Sequence, residues 1–224
     1  MSNDYQEADV LLQKAKGRLF FKKGAGFLGS LLCNLNFRWD TETKTAATDG
    51  KGLIWNPDFF MSLDDDTRIT VLAHEIWHVA YMHNVRRNGR NPETYNIAAD
   101  HVINLMLKDH GYYMGGFPYC MDPKYTGWST DEVYDDLIQN PPPPQTSPLL
   151  GDLIEGEGGD EVEPTDLIRK IISATTTARM TGQAGDIPGE VEFIIDQFLN
   201  PKLPWETILY NFFNDMVDMD YSYR

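Results

Sequence analysis

Two histidines four residues apart, with a glutamate directly after the first, are the residues of this sequence best suited to chemistry. His74-Glu75-Ile76-Trp77-His78 is an H-E-x-x-H motif. On a helix, residues four apart share one face, so the two imidazoles can bind one cation while Glu75 reaches a water molecule on it. Imidazole suits zinc, and three protein ligands leave a position for that water. The motif therefore predicts a Zn2+ site in which Glu75 is the general base.

A purely structural interpretation of the same motif is the alternative. The two histidines and the glutamate would then be polar side chains on a buried helix. Burying them on an otherwise apolar helix is costly unless they have partners. A metal ion supplies such a partner by coordinating the imidazoles, so the sequence favours the metal site.

The third ligand has to come from outside the motif. In the metzincin pattern it is a histidine six residues after the second one, preceded by a helix-ending glycine. Those two positions hold Asn84 and Tyr81 here. His83 is one residue out of register, about 140° around a continuous helix from His78. It is interpreted as a polar residue near the helix end, and a role as a metal ligand is the alternative. His110 falls at the end of another predicted helix, where an imidazole commonly caps carbonyls.

A polar stripe on the next predicted helix supplies a better third ligand. Asn96, Asp100 and Asn104 are spaced by four in a segment rich in Ile, Val, Ala, Leu and Met, so they share one face. His101 lies about 100° away, on a face predicted to meet solvent. We expect Asp100 to complete the metal site and Asn104 to orient a histidine ligand through its second nitrogen. The alternative is a buried Asp/Asn network that joins the two helices.

The elements that position these residues follow from periodicity and turn residues. Helices are predicted over 4–16, 62–87, 91–109, 165–180, 187–199 and 204–217. Strands are predicted over 31–39, 44–47 and 53–55. Ser62 is the predicted start of the motif helix, Asn91-Pro92 opens the next one, and Asp49-Gly50 is a hairpin turn.

Composition divides the chain into three parts. Residues 1–138 form the predicted catalytic domain. Residues 139–165 contain four consecutive prolines and a Gly/Glu/Asp tract that can bury no core, which predicts a disordered linker. Residues 166–224 are predicted to be a helical C-terminal part that packs on the first domain.

Charge and hydropathy exclude several function classes. The net charge is −15, and eleven of the acidic residues lie between Lys124 and Arg169, a stretch without any basic residue. The remainder is nearly balanced and offers nucleic acid no continuous basic surface. No apolar run approaches the roughly 18 residues of a membrane span, and residues 1–9 lack the apolar region of a signal peptide. Two cysteines, Cys33 and Cys120, cannot form a disulfide framework. The sequence predicts a cytoplasmic protein.

Four stretches together resemble a known family. Thr45–Gly50, Leu72–Ala80, Arg86-Arg87 and Asn96–Asn104 look like the "putative metallopeptidase domain" that usually precedes a von Willebrand factor A-like domain. The resemblance runs from about residue 8 to the C-terminus and is weakest in the predicted linker. This combination is far more specific than H-E-x-x-H alone.

The resemblance implies an α+β fold of the zincin-like metallopeptidase type, with a small sheet and its hairpin on a central active-site helix. It implies zinc bound by His74, His78 and Asp100, with Glu75 as the base, and a peptide or protein substrate. In zincins an edge strand ahead of the active-site helix pairs with an extended substrate, and residues 52–56 are the expected strand; the alternative is a simple sheet edge. Family members usually continue into the von Willebrand factor A-like domain, so that domain or a partner protein is a further expected partner.

Two other functions remain open from the sequence. The protein could be a metal-holding interaction module without peptidase activity, in which case the metal keeps no exchangeable water. It could instead be a zinc hydrolase of a non-peptide bond, because the same activated water attacks other electrophiles. A digest of an unbiased peptide library separates both from a peptidase.

Overall fold

In a computed structural model the chain is described over residues 3–48, 52–115, 118–141, 152–153, 164–183 and 187–200. Within these ranges it has an α+β fold, as expected. The helices are α1 (Asn3–Leu19), α2 (Ala25–Cys33), α3 (Pro57–Ser62), α4 (Asp65–Ala80), α5 (His83–Arg86), α6 (Pro92–Asp109), α7 (Thr130–Gln139), α8 (Pro164–Met180) and α9 (Gly189–Leu199). The strands are β1 (Asn36–Trp39), β2 (Ala46–Thr48), β3 (Gly52–Trp55) and β4 (Asp152–Leu153).

The four strands form one sheet in the order β1-β3-β2-β4. β2 and β3 are antiparallel, with Ala46 opposite Trp55 and Thr48 opposite Leu53, so the predicted pairing of the two strands is confirmed. The predicted turn at Asp49-Gly50 lies outside the described residues. β1 pairs parallel to β3 on its other side. β3 is therefore an interior strand. The expectation that residues 52–56 form a substrate-binding edge is wrong, because β1 and β2 already occupy both sides of that strand.

Gly52 permits the close approach of β1 to β3. A Cβ atom at this position would lie 2.6 Å from the carbonyl oxygen of Asn36, a distance that side chains do not tolerate. Glycine is the residue that lets two backbones come this near.

Residues 31–33, predicted as part of a strand, belong to α2 instead. The helix begins after Gly24, whose φ of 81° is left-handed, and it buries Phe27, Leu28, Leu31 and Leu32. Their spacing is helical, but a short apolar run after a glycine-rich segment is ambiguous from sequence. α2 packs against α8 and α4, so it joins the C-terminal helices to the motif helix.

The motif helix α4 is the centre of the core, as its apolar composition predicted. Every residue from Thr67 to Ala80 is buried, and Trp77 stacks on Phe27 with ring centroids 5.4 Å apart. The start is Asp64, whose side chain accepts hydrogen bonds from the amides of Asp66 and Thr67. Ser62, the predicted start, is the last residue of α3. Asp64 is the stronger cap because its carboxylate accepts two amide hydrogen bonds at the positive end of the helix.

The predicted continuation of this helix to Arg87 is wrong. α4 ends at Ala80, and Met82 has a left-handed φ of 52°. The chain then forms the short helix α5 from His83 to Arg86. A left-handed residue breaks the i to i−4 ladder and reverses the chain, so residues after it no longer follow the rotation of α4.

α6 agrees closely with its prediction. The side chain of Asn91 accepts a hydrogen bond from the amide of Thr94, and Pro92 is the first helical residue. The helix ends at Asp109, and Gly111 follows with a left-handed φ of 75°. The local sequence signals thus fix both ends of the helix that carries Asp100.

α8 and α9 confirm the helices predicted over 165–180 and 187–199. Within the predicted linker, Asp152 and Leu153 pair parallel to β2 as strand β4, which the expectation of disorder did not include. Residues 142–151 and 154–163 of that linker and the predicted helix over 204–217 lie outside the described residues. Among the described helices, none combines the length and apolar character that a membrane crossing requires.

Candidate metal centre

Three side chains from α4 and α6 bring their ligand atoms together. Nε2 of His74 and Nε2 of His78 lie 2.9 Å apart. Oδ1 of Asp100 lies 3.4 Å from the first nitrogen and 3.2 Å from the second. Within the described part of the chain, no other group of three His, Cys, Asp or Glu side chains is arranged to hold a metal ion. The expected proximity of Asp100 to both histidines is present.

Burial makes this cluster electrostatically demanding. Each of the three residues is at most 1% exposed. Burial would raise the pKa of Asp100, but hydrogen bonds and charge from His74 and His78 lower it. Burial would lower the pKa of His74, but Asp100 raises it above its ordinary value, whereas burial lowers the pKa of His78. The carboxylate is thus held in its charged form, which needs a positive charge beside it.

The second nitrogen of His74 has a defined partner. Its Nδ1 lies 2.9 Å from Oδ1 of Asn104. The amide nitrogen of Asn104 donates to the carbonyl of Cys120 at 3.1 Å, which fixes the orientation of the amide. Nδ1 of His74 therefore carries a proton, and its Nε2 faces the cluster. The predicted contact between Asn104 and a histidine of the motif is confirmed.

The second nitrogen of His78 has a partner that sequence reasoning missed. Its Nδ1 lies 3.0 Å from Nδ1 of His83, and Nε2 of His83 lies 3.1 Å from Oγ1 of Thr130. His83 is buried, not the polar helix-end residue that a continuous helix predicts, because the break at Met82 returns it to His78. Burial, together with the nearby His78 and Arg86, lowers the pKa of His83 well below its ordinary value, so His83 is neutral.

Local signals for the position of Thr130 were present in the sequence. Ser129 and Glu132 form a capping box, in which the Ser129 side chain bonds the Glu132 amide and the Glu132 carboxylate bonds the Ser129 amide. The S-x-x-E spacing marks the beginning of α7 and makes Thr130 its first residue. Nothing local, however, indicates that this helix terminus meets His83.

Arg86 holds α5 in place beside α7 and α9. Its guanidinium lies 2.6 Å from a carboxylate oxygen of Glu190 on α9 and 3.0 Å from one of Asp131 on α7. Asp131 directly follows Thr130, so this ion pair holds together the two helices whose residues meet in the His83–Thr130 contact. Arg86 belongs to the Arg86-Arg87 stretch, one of the four stretches that carry the family resemblance, and these ion pairs are what it forms in the structure.

Neither of the two remaining histidines belongs to the cluster. His101 was predicted to face solvent, and this is wrong: it is buried, its Nδ1 accepts from the amide of Asp122 at 3.0 Å, and its Nε2 lies 3.3 Å from Sγ of Cys120. The loop that carries Cys120 and Asp122 covers this face of α6. Nothing in the loop sequence indicates that it makes this contact. His110 is the C-cap residue of α6, at the predicted helix end.

Glu75 lies on α4 next to the first histidine and is 1% exposed. Its negative charge is one of the causes of the raised pKa of His74, after the hydrogen bond and charge of Asp100. Asn96, one turn before Asp100 on α6, is also buried. Glu75 and Asn96 are therefore buried polar residues on the two helices that carry the cluster.

The donor set and its spacing fit a zinc ion. Two nitrogens bound at 2.0–2.1 Å to a tetrahedral zinc ion are about 3.3 Å apart, and the three separations here range from 2.9 to 3.4 Å. Two imidazoles and one carboxylate form a set that zinc accepts, with one coordination position left over. A cation at this point would also balance the buried Asp100 charge.

Fold and site together define an α+β protein with a buried His-His-Asp group that could bind a metal ion. The family model described as "Putative metallopeptidase domain" matches residues 9–165 and, in a second and overlapping match, residues 151–224. The chain belongs to this family. No curated protein and no solved structure matches it.

Proposed function

We propose that this protein is a zinc-dependent metallopeptidase with a zincin-like catalytic fold. His74, His78 and Asp100 would hold the zinc ion, and Glu75 would be the general base. The observation that carries the proposal is the convergence of the three buried ligand atoms within 3.4 Å of one another. Family membership adds the class of activity.

Each side chain has a separate task in this proposal. A bound zinc ion supplies a Lewis acid that polarises a water molecule and the substrate carbonyl. Glu75 accepts the proton of the attacking water and delivers it to the leaving amine. Asn104 keeps the Nδ1 proton on His74, so that Nε2 stays a ligand atom. Asp100 balances part of the positive charge while leaving a net charge of about +1 at the centre.

The test compares peptide-library digestion by the zinc-loaded wild type and Glu75→Gln. The substitution keeps the size of the side chain but replaces the base with an amide, so the rate should fall by on the order of 100-fold or more while the zinc content stays the same. Glu93→Gln is the matched control, because Glu93 is an exposed glutamate at the start of α6. It should leave the rate unchanged.

Intact peptidase activity in Glu75→Gln would contradict the hydrolytic mechanism. A wild type that binds zinc but cleaves no peptide in the library would contradict the peptidase activity and leave the metal site standing. Loss of zinc from Glu75→Gln would show that the residue supports metal binding and not proton transfer alone.

The depth of the site favours a second candidate, a metal-holding module without peptidase activity. His74, Glu75, His78 and Asp100 are each at most 1% exposed, whereas a peptidase has to admit a polypeptide. Loading the protein with Mn2+ and measuring water proton relaxation separates the two. A peptidase site should show an exchanging water ligand, and a closed structural site should not.

A further inference from the structure

Behind His78 lies a buried row of polar side chains that the proposed reaction does not use directly. Nδ1 of His78 meets Nδ1 of His83 at 3.0 Å, and Nε2 of His83 meets Oγ1 of Thr130 at 3.1 Å. All three residues are at most 1% exposed. Water is therefore not available to replace a missing partner in this row, and each hydrogen bond has to be made within the protein.

The positions of the protons in this row decide whether His78 can bind a metal. A neutral imidazole carries one proton, and two facing Nδ1 atoms share exactly one. If His78 carries it, its Nε2 has a free lone pair. If His83 carries it, the proton of His78 is forced onto Nε2, and that nitrogen cannot be a ligand.

We propose that His83 is a positioning residue for the metal site, accepting the Nδ1 proton of His78 while donating its own Nε2 proton to Thr130. The inference rests on the proposed zinc site. The hydroxyl oxygen of Thr130 can accept a hydrogen bond from Nε2 of His83, which is the direction that this arrangement requires. With that proton on Nε2, Nδ1 of His83 is free to accept from His78.

The surroundings of His83 hold it in this arrangement. The left-handed Met82 directs His83 back toward the motif helix, and Arg86 ties α5 to Asp131, the neighbour of Thr130. The ring of His83 also contacts His78, Tyr81 and Tyr95, with centroids 5.0 to 5.9 Å away. Packed rings and an ion pair leave little freedom for the imidazole to turn away.

The first experiment measures zinc dissociation constants of the full chain by competition with a chromophoric chelator. His83→Leu removes the acceptor and should weaken zinc binding by about 10- to 100-fold. His83→Asn keeps a carbonyl oxygen one bond from Cγ, where Nδ1 of histidine lies, and should bind zinc close to the wild-type value. Circular dichroism has to show that both variants are folded.

Thr130→Val tests the second step, because valine has the shape of threonine without the hydroxyl. It should weaken zinc binding by about 10-fold or less. Thr175→Val is the matched control: Thr175 is also buried, and its hydroxyl bonds the carbonyl of Ile171 within α8. This control should leave zinc affinity unchanged.

The second experiment reads the protons directly. Long-range 1H–15N correlation spectra of the labelled full chain, with and without zinc, should show His78 protonated on Nδ1 and His83 protonated on Nε2. A proton on Nδ1 of His83 would overturn the proposal. So would equal zinc affinities for wild type and a folded His83→Leu, or equal losses in His83→Leu and His83→Asn.

These outcomes are distinct from a failure of the proposed function. Zinc affinities that follow the expected order in a protein without peptidase activity would support the role of His83 and contradict only the peptidase. A wild type that binds no zinc would contradict the metal site itself. A wild type that binds zinc with no dependence on His83 would contradict this inference alone.

Discussion

The Nδ1 atoms of the two motif histidines have different hydrogen-bond partners, Asn104 for His74 and His83 for His78. We call these two partners the supports of the histidines. Nδ1 of His74 meets Asn104, which lies on the same helix as Asp100 and one turn further along. Nδ1 of His78 meets His83, which follows a helix break and belongs to the four-residue helix α5. One support comes from a regular helix and the other from a chain reversal held by ion pairs. The same chemical task has thus been met by two kinds of local structure.

The two supports also differ in chemistry. The amide nitrogen of Asn104 is already bonded to the carbonyl of Cys120, so only its oxygen can face His74. An imidazole can present either a donor or an acceptor, and the Thr130 hydroxyl can do the same, so the residue types alone leave both directions of the His83 contacts open. The direction of the Asn104 contact is fixed by the bond of its amide nitrogen to Cys120, whereas the direction of the His83 contacts is the part that the proposal assigns.

The largest effect on zinc affinity is expected from a change at Asp100, which contacts both histidines. Asp100 contacts Nε2 of both histidines, so Asp100→Ala removes a ligand and the charge balance of both at once. Zinc affinity should fall by at least about 10-fold, and by more than in any single change at Asn104 or His83. The measurement is the zinc dissociation constant by chelator competition.

Asp109→Ala is the matched control for that change, because Asp109 is an exposed carboxylate at the end of the same helix. It should leave zinc affinity unaltered. An X-ray absorption or crystal structure of the zinc form that shows three imidazoles and no Asp100 oxygen at about 2.0–2.2 Å would contradict the assignment of Asp100.

Changes at Asn104 are expected to have an intermediate effect on zinc affinity. The residue that replaces Asn104 decides whether zinc binding weakens. Asn104→Leu removes the acceptor for Nδ1 of His74 and should weaken zinc binding by about 10-fold. Asn104→Asp keeps an acceptor oxygen there and adds a charge, which raises the basicity of the histidine, so it should bind zinc at least as tightly as wild type. Titrations of both variants with zinc check this pair of expectations.

The comparison of the two supports is tested further by combining Asn104→Leu with His83→Leu. Because each change removes the partner of a different imidazole, the double variant should bind zinc more weakly than either single variant. A double variant no weaker than the worse single one would mean that the two supports act as one unit, contrary to the separation described here.

The contact of Asn104 with His74 was predicted from the sequence, and the contact of His83 with His78 was not. The difference has a physical reason. Asn104 and Asp100 lie on one uninterrupted helix, where the 3.6-residue period determines which side chains share a face. His83 lies beyond Met82, and a methionine gives no signal that the backbone becomes left-handed there. Rotation counted along a continuous helix therefore placed His83 on the wrong side.

The same distinction explains two further errors. The caps of α6 and the hairpin pairing depend on neighbouring residues and were predicted correctly. The interior position of β3 depends on β1, which pairs with it from outside the hairpin. The burial of His101 depends on a loop about twenty residues further along the chain. Long-range contacts of this kind leave no periodic signal in the sequence.

The smallest effect on zinc, with a distinct effect on stability, is expected from Arg86→Met. The guanidinium and its partner Glu190 are only 12% and 14% exposed, so losing this ion pair should lower the free energy of unfolding by about 1–3 kcal/mol. Because Arg86 also holds α5 against α7, zinc affinity should fall through a looser His83, but by less than in His83→Leu. Urea unfolding and zinc competition measure the two effects.

Lys14→Met is the control for this change, since it also removes a cation but from an exposed pair, with Lys14 55% and Asp65 40% exposed. Exposed pairs contribute at most about 1 kcal/mol, and this one lies on α1 and the start of α4, away from His83 and Asn104. It should alter neither property appreciably. Arg86→Met is also combined with Asn104→Leu. If Arg86→Met lowers stability but leaves zinc affinity unchanged, both alone and in that combination, the position of His83 does not depend on the ion pairs of Arg86. Packing alone then holds that imidazole.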